Sequence, residues 1–271
     1  MKTTPTLFPL GTSRLHWAAE YITRHDATEV IFPRIGYFQS AGQIATMLEI
    51  LSGIRDVPEI CHYLTRRDGT PLHPFDNRAL TPDQALWRQK RAEFASADVL
   101  LLEFSSSVEF QLGELHVQGN PNYQRDVPFA DVWKDGYYAT YEPEVDVKRF
   151  QDTEQDIAAH FERCAKAVGD RPVIVQSHIY RGAQGFGRKE FADIVSRQAA
   201  NNGWHFVDAA ALCAAHGFRT FANGQTDIHH LDWPGTRANA VELLERSFTA
   251  WGCTLNDATK ETVIGDTHEM M

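Results

Sequence analysis

Long apolar runs are missing from this chain. Nowhere do about eighteen apolar residues follow one another, so no transmembrane helix is expected. The opening stretch MKTTPTLFPLGTSRLHW has no long apolar segment either, and no signal peptide is expected. Cysteine is scarce: Cys61, Cys164, Cys213 and Cys253 are far apart and no pair has C-x-x-C spacing. That argues against a disulfide scaffold. Cys164 and Cys213 fall on apolar helix faces, where buried free thiols fit a reducing compartment. The cytoplasm is therefore the expected location. Basic charge is outnumbered, with 26 Lys and Arg against 36 Asp and Glu for a net charge of −10. Such a surface repels phosphate backbones and anionic lipid, so neither nucleic acid nor a membrane is an expected partner. No internal repeat and no low-complexity linker breaks the chain, and nothing in it sets an oligomeric state.

What is present is the balance of a globular protein: 271 residues, 43% hydrophobic and 23% charged. That length suits a single α/β domain spanning 1–271, able to bury a sizeable core without staples. Strand-like and helix-like segments alternate. TLFPLGTS leads into the helical spacing of RLHWAAEYITRH, and ATEVIFPRIG is a second strand candidate. In SAGQIATMLEILSG the residues Ile44, Met47, Leu48 and Leu51 mark one helical face. ADVLLLEFSSS is a continuous apolar run, as expected of a strand covered on both faces. DTEQDIAAHFERCAKAV, RPVIVQSH, KEFADIVSRQAANNG and WHFVDAAALCAAHG continue the alternation, and RANAVELLERSFTAWG closes it. The tail KETVIGDTHEMM reads as loose. The β-α order predicts a three-layer α/β/α sandwich with a mostly parallel central sheet. An irregular, aromatic-rich insertion interrupts it at about 108–150, long enough to suggest a lid or binding loop.

Ligands in such sheets bind beyond the carboxyl ends of the strands. The residues just after the predicted strands are Gly11-Thr12-Ser13, the stretch to Gly42, Ser105 to Ser107, Ser177 and His178, Asp208, and finally Asp227-Ile228-His229-His230. A serine at a strand-to-helix turn stands beside the backbone N–H groups of the helix start. It becomes a nucleophile when a carboxylate-oriented histidine takes its proton. Asp227 and His230 supply that pair from one turn. Ser13 read alone is as well explained as a helix N-cap, and D-x-x-H read alone as a polar turn. A metal site at Asp227, His229, His230 and Asp232, with His178 able to join, is not expected, because adjacent histidines do not usually converge on one ion and no H-x-x-x-H or H-E-x-x-H occurs.

Taken together, these blocks resemble the SGNH (GDSL-type) hydrolase superfamily, and within it most the GSCFA-type branch. Gly11-Thr12-Ser13 stands where the family has G-D-S, Gly42 where it has the glycine of the second block, and DIHHLDWPGTRANAVELL where it has D-x-x-H-L before a long helix. The order spans nearly the whole chain. The resemblance implies a flavodoxin-like strand order and acyl-ester chemistry, by an esterase or an O-acyltransferase acting on a carbohydrate or other polar ester. Ser13 would attack, His230 act as base and then acid, and Asp227 orient His230, with His229 a bystander. The oxyanion would be held by the N–H groups of Ser13 and Gly42 and by Ser107. Two departures stand out: Thr12 replaces the aspartate of the first block, and Ser107 the asparagine of the third. No cofactor and no metal is implied. Substrate contacts are expected from Arg181, with Arg188 close by, and from His178, Trp133 and Tyr138. Arginine suits a carboxylate or phosphate, and an aromatic suits a sugar ring or acyl chain.

Overall fold

The computed structural model describes residues 4–33, 35, 38–56, 84–112, 114–116, 147–180 and 187–269. In chain order the elements are β1 (Leu7–Leu10), α1 (Ser13–Arg24), α2 (Ala41–Ser52), α3 (Gln84–Ser96), β2 (Val99–Phe104), β3 (Val108–Leu112), β4 (Leu115–His116), β5 (Val147–Gln151), α4 (Glu154–Val168), β6 (Val173–Ser177), α5 (Arg188–Asn201), β7 (His205–Val207), α6 (Ala209–His216), β8 (Phe218–Thr220), β9 (Thr226–Leu231), α7 (Trp233–Ala250) and α8 (Asp257–Ile264). The single domain expected from the length divides by its packing into two compact units interleaved along the chain. One comprises Met1–Phe32, Ser96–Ser106 and Gly169–Met271, the other Pro33–Ala95 and Ser107–Val168.

The first unit holds a four-stranded parallel sheet in the order β1-β2-β6-β7. β1 pairs with β2 from Leu7↔Val99, β2 with β6 from Leu100↔Val173, and β6 with β7 from Ile174↔His205. Every residue of β1, β2 and β6 is buried, which is why their sequences run apolar without alternation. A single parallel bridge, Leu7↔Val30, lies at the outer side of β1. Counting it as a strand gives the 2-1-3-4-5, flavodoxin-like order. The second strand expected at ATEVIFPRIG is reduced to that one bridge.

On one face of the sheet, Leu7, Val99, Leu101, Ile174 and Val207 meet Leu15, Ala18 and Ile22 of α1 and Ala240, Leu243 and Leu244 of α7. α5 packs on β6 and β7 through Phe191, Val195 and Ala199. The architecture is a mixed α/β, three-layer α/β/α sandwich. Cys164 and Cys213 are fully buried.

Two expectations at the C-terminal end need correction. α7 begins at Trp233, ahead of the expected RANAVELL, because the Asp232 side chain caps it by accepting the Gly235 N–H at 2.6 Å. Up to Glu269 the tail is not loose. α8 is capped by Asn256, whose side chain accepts the Thr259 N–H, and it buries Val263 completely in the core of the first unit. The Tyr21 hydroxyl ties the residues beyond α8 by donating to the His268 carbonyl.

The second unit is built on α2 and α4, packed together, and on an antiparallel sheet ordered β4-β3-β5. The insertion expected to be irregular over 108–150 is thus partly sheet at its ends. VEFQL alternates apolar and polar residues, the period of a strand, within a stretch otherwise crowded with turn residues. Among the described residues no helix is long and apolar enough to cross a membrane.

Candidate active site

The turn that carries Ser13 follows β1 directly. Thr12 is the N-cap of α1, in extended conformation and with no side-chain capping bond, so the capping role open to Ser13 falls to its neighbour. The first backbone bond of α1 joins the His16 N–H to the Thr12 carbonyl, and Ser13 lies in the first turn, whose N–H groups lack intrahelical acceptors. The turn is gripped from below by Glu103, a completely buried residue of β2. Glu103 Oε2 accepts from the Thr12 N–H at 2.8 Å and from the Thr12 hydroxyl at 2.7 Å, while Oε1 accepts from Arg14 Nε at 2.5 Å. Gly11 must be glycine here: a Cβ on it would lie 2.6 Å from Glu103 Cβ. The turn thus takes its carboxylate from the neighbouring strand.

His230 and Asp227 come from β9, which pairs antiparallel with β8. Adjacent residues of β8, Phe218 and Arg219, pair with Leu231 and Asp227, so Ile228, His229 and His230 bulge out between them. A bulge re-aims side chains, and this one folds His230 back over Asp227. The expected D-x-x-H turn is therefore a bulged strand. His230 Nδ1 lies 2.7 Å from Asp227 Oδ2, and His230 Nε2 lies 2.7 Å from Ser13 Oγ. An ionised carboxylate only accepts. The imidazole proton then sits on Nδ1, and Nε2 faces the Ser13 hydroxyl as an acceptor.

Burial pushes the His230 pKa below its ordinary 6.5; Asp227 pulls the other way, and Arg14 adds to the lowering. The ring is held by Trp17, one helical turn beyond Ser13, which stacks on it at 4.3 Å between centroids. Arg219 lies over Trp17 and Trp233, at 5.4 Å and 4.7 Å. Arg14 crosses from α1 to β9 and donates to the His229 carbonyl at 3.2 Å.

The two histidines separate. His230 joins Asp227 and Ser13, whereas His229 is exposed and its Nδ1 accepts from Arg188 at 3.3 Å. Arg188 also donates to the carbonyls of Ile179 and Ile228, bracing the bulge instead of facing outward for a ligand. His178 likewise departs from the substrate contact expected of it. It is buried, its Nδ1 donates to the Ile179 carbonyl at 2.7 Å, and its Nε2 faces Arg14 at 3.4 Å. Burial, then Arg14 and Arg188, hold its pKa well below 6.5, so it is a neutral acceptor behind Arg14.

Gly42 and Ser107 belong to the second unit. The Gly42 N–H is already donated to Glu109 Oε1 at 2.7 Å, as suits a carboxylate at the start of α2, so it is not a spare oxyanion donor. The Ser107 hydroxyl accepts from Gln151 at 3.4 Å. Arg181, Trp133 and Tyr138 lie outside the described residues.

Glu103, Trp17 and Arg14 escaped the sequence reading. The signal for Glu103 was a lone acid inside the apolar run VLLLEF, and for Trp17 its position four residues after the serine. Set against known proteins, the chain matches no family model and no curated sequence.

Proposed function

We propose that this chain is a serine-dependent acyl-ester hydrolase of the SGNH type, acting on a polar, carbohydrate-type ester through an acyl-serine intermediate. The observation that carries the reading is the chain of contacts Asp227–His230–Ser13, with both links at 2.7 Å. Ser13 Oγ attacks the ester carbonyl as its proton passes to His230 Nε2. The resulting oxyanion faces the Ser13 N–H and the unbonded first turn of α1. Collapse expels the alcohol, which takes the proton from His230 and leaves the acyl group on Ser13. Water activated by the same histidine then releases the acid. If an acceptor hydroxyl replaces that water, the same steps give an O-acyltransferase, and product analysis with one donor in the presence and absence of a sugar acceptor separates the two.

The commitment of the Gly42 N–H to Glu109 favours a second reading, a non-catalytic binding component of a biosynthetic pathway. A fluorophosphonate probe decides. Labelling of the wild type that disappears in Ser13→Ala supports the enzyme; no labelling between pH 5 and pH 9 supports the binding component.

The pH profile follows from the depressed His230 pKa. Only neutral imidazole accepts the serine proton, so kcat/KM should rise with pH and reach half its plateau below pH 6.5. A midpoint above 6.5 would contradict the assignment of His230 as base. Trp17→Ala removes the ring that covers the imidazole. The midpoint should then move up toward 6.5, and kcat should fall by about 10- to 100-fold as the histidine loses its fixed orientation.

A further inference from the structure

In the second unit, four ligand-type side chains from four places in the chain converge. Glu109 lies on β3, His116 on β4, Asp152 just after β5, and His160 on α4. One donor atom from each of Glu109, His116 and His160 lies within 4.8 Å of the others. His116 Nδ1 is 3.1 Å from Glu109 Oε2, a separation that two ligands of a single cation also have. Asp152 Oδ2 is 3.6 Å from His160 Nε2, and the charge of Glu109 acts directly on Asp152.

The cluster is buried: Glu109 is 0% exposed, Asp152 7% and His160 8%. The start of α2 closes on it so tightly that a Cβ on Gly42 would collide with the His116 ring and with Glu109. Two carboxylates are thus held together out of water. Glu109 is satisfied by the Gly42 N–H and by His116. Neither oxygen of Asp152 accepts a hydrogen bond from any described residue. Buried carboxylates are costly unless they are paired, hydrogen-bonded or bound to a metal.

We propose that Glu109, His116, His160 and Asp152 form a binding site for one divalent transition-metal ion. Two imidazoles with two carboxylates suit Zn²⁺, Fe²⁺ or Mn²⁺, while the nitrogen donors disfavour Ca²⁺ and Mg²⁺. Burial, then the charge of Glu109, raises the Asp152 pKa to about 8, so an ion taken up by the site displaces its proton. Arg163 sets a cost. It donates to His160 Nδ1 at 3.1 Å, which keeps the imidazole proton on Nε2. Ligation through Nε2 transfers that proton to Nδ1 and breaks this contact, so metal uptake is coupled to a local rearrangement. Arg163 stays anchored meanwhile by Glu49, at 2.7 Å and 2.9 Å. All four residues belong to the second unit.

The test uses the full-length protein, stripped with EDTA and titrated with Zn²⁺ alone by calorimetry, with metal content measured after dialysis. One equivalent per chain is expected. The Co²⁺ form should show visible d–d absorption. Asp152→Asn, which keeps the shape of the side chain, should weaken Zn²⁺ binding about 10- to 100-fold, and His116→Ala with His160→Ala should weaken it by at least about 100-fold. Ser13→Ala should bind Zn²⁺ as the wild type does. Fluorophosphonate labelling or, failing that, the far-ultraviolet circular dichroism of each variant shows that it is folded. Absence of Zn²⁺ binding in the wild type, or one tightly bound equivalent in folded Asp152→Asn and in the double variant, overturns the proposal.

Discussion

Ser13→Ala is expected to lower kcat by at least about 10⁴-fold while leaving stability near that of the wild type. The size of the effect follows from what the hydroxyl does. In the proposed mechanism it forms the bond to the acyl carbon, and no other group in the described first unit has its relation to His230. The small structural cost follows from what the hydroxyl does not do: Thr12, and not Ser13, occupies the cap of α1. Removing Oγ leaves the Glu103 bonds to Thr12 and Arg14 in place. His230→Ala should fall to the same floor, and the double variant no lower, because serine and histidine act as one unit. Asp227→Asn tests the third member. An amide at Asp227 no longer holds the proton on Nδ1, and kcat should drop about 10⁴-fold with the geometry intact. Steady-state kinetics on a chromogenic short-chain ester give all four values. A Ser13→Ala variant that keeps more than a tenth of the wild-type rate sinks the mechanism.

The three members of this site were legible because each sits where a local pattern changes. Ser13 follows an apolar strand, and Asp227 and His230 precede a Pro-Gly pair that opens a long helix. The strands β1, β2 and β6 were legible for the complementary reason that burial on both faces leaves unbroken apolar runs. The bulge in β9 was not. Its existence depends on the register with β8, where Phe218 and Arg219 reach across to Leu231 and Asp227, and register is a property of two segments, not one. α8 was missed because it fixes itself through a single fully buried side chain, Val263, too little to produce a periodic stripe. Gly42 was placed correctly at the start of a helix, yet the acceptor that takes its N–H lies 67 residues away on β3. The cluster of Glu109, His116, Asp152 and His160 has no sequence spacing to announce it, since its members come from separate elements.

The largest expected loss of stability lies at Glu103. Its carboxylate is 0% exposed and accepts three hydrogen bonds, two from Thr12 and one from Arg14, whose side chain is itself only 8% exposed. Glu103→Ala leaves a buried guanidinium without its counter-charge and strands the Thr12 N–H and hydroxyl. Breaking a buried pair in this way costs about 3–5 kcal/mol. Urea denaturation should show the midpoint falling with the slope unchanged, and activity should fall with it, because the Ser13 turn loses its only carboxylate anchor among the described residues. Stability and activity can be separated. Replacing both partners with apolar residues of similar size, Glu103→Leu with Arg14→Met, removes the charge that made the single change costly and should recover most of the lost stability. It should not recover kcat, since Arg14 also ties α1 to the His229 carbonyl in the bulge that carries His230. A Glu103→Ala variant within about 1 kcal/mol of the wild type would show that the pair contributes no more than a surface ion pair does. A double variant that regains full activity would show that Glu103 supports the fold and not the placement of the nucleophile. The expected pattern is recovery of the midpoint without recovery of the rate, because packing can replace the pair's contribution to folding but not the hydrogen bonds that aim Ser13 at His230.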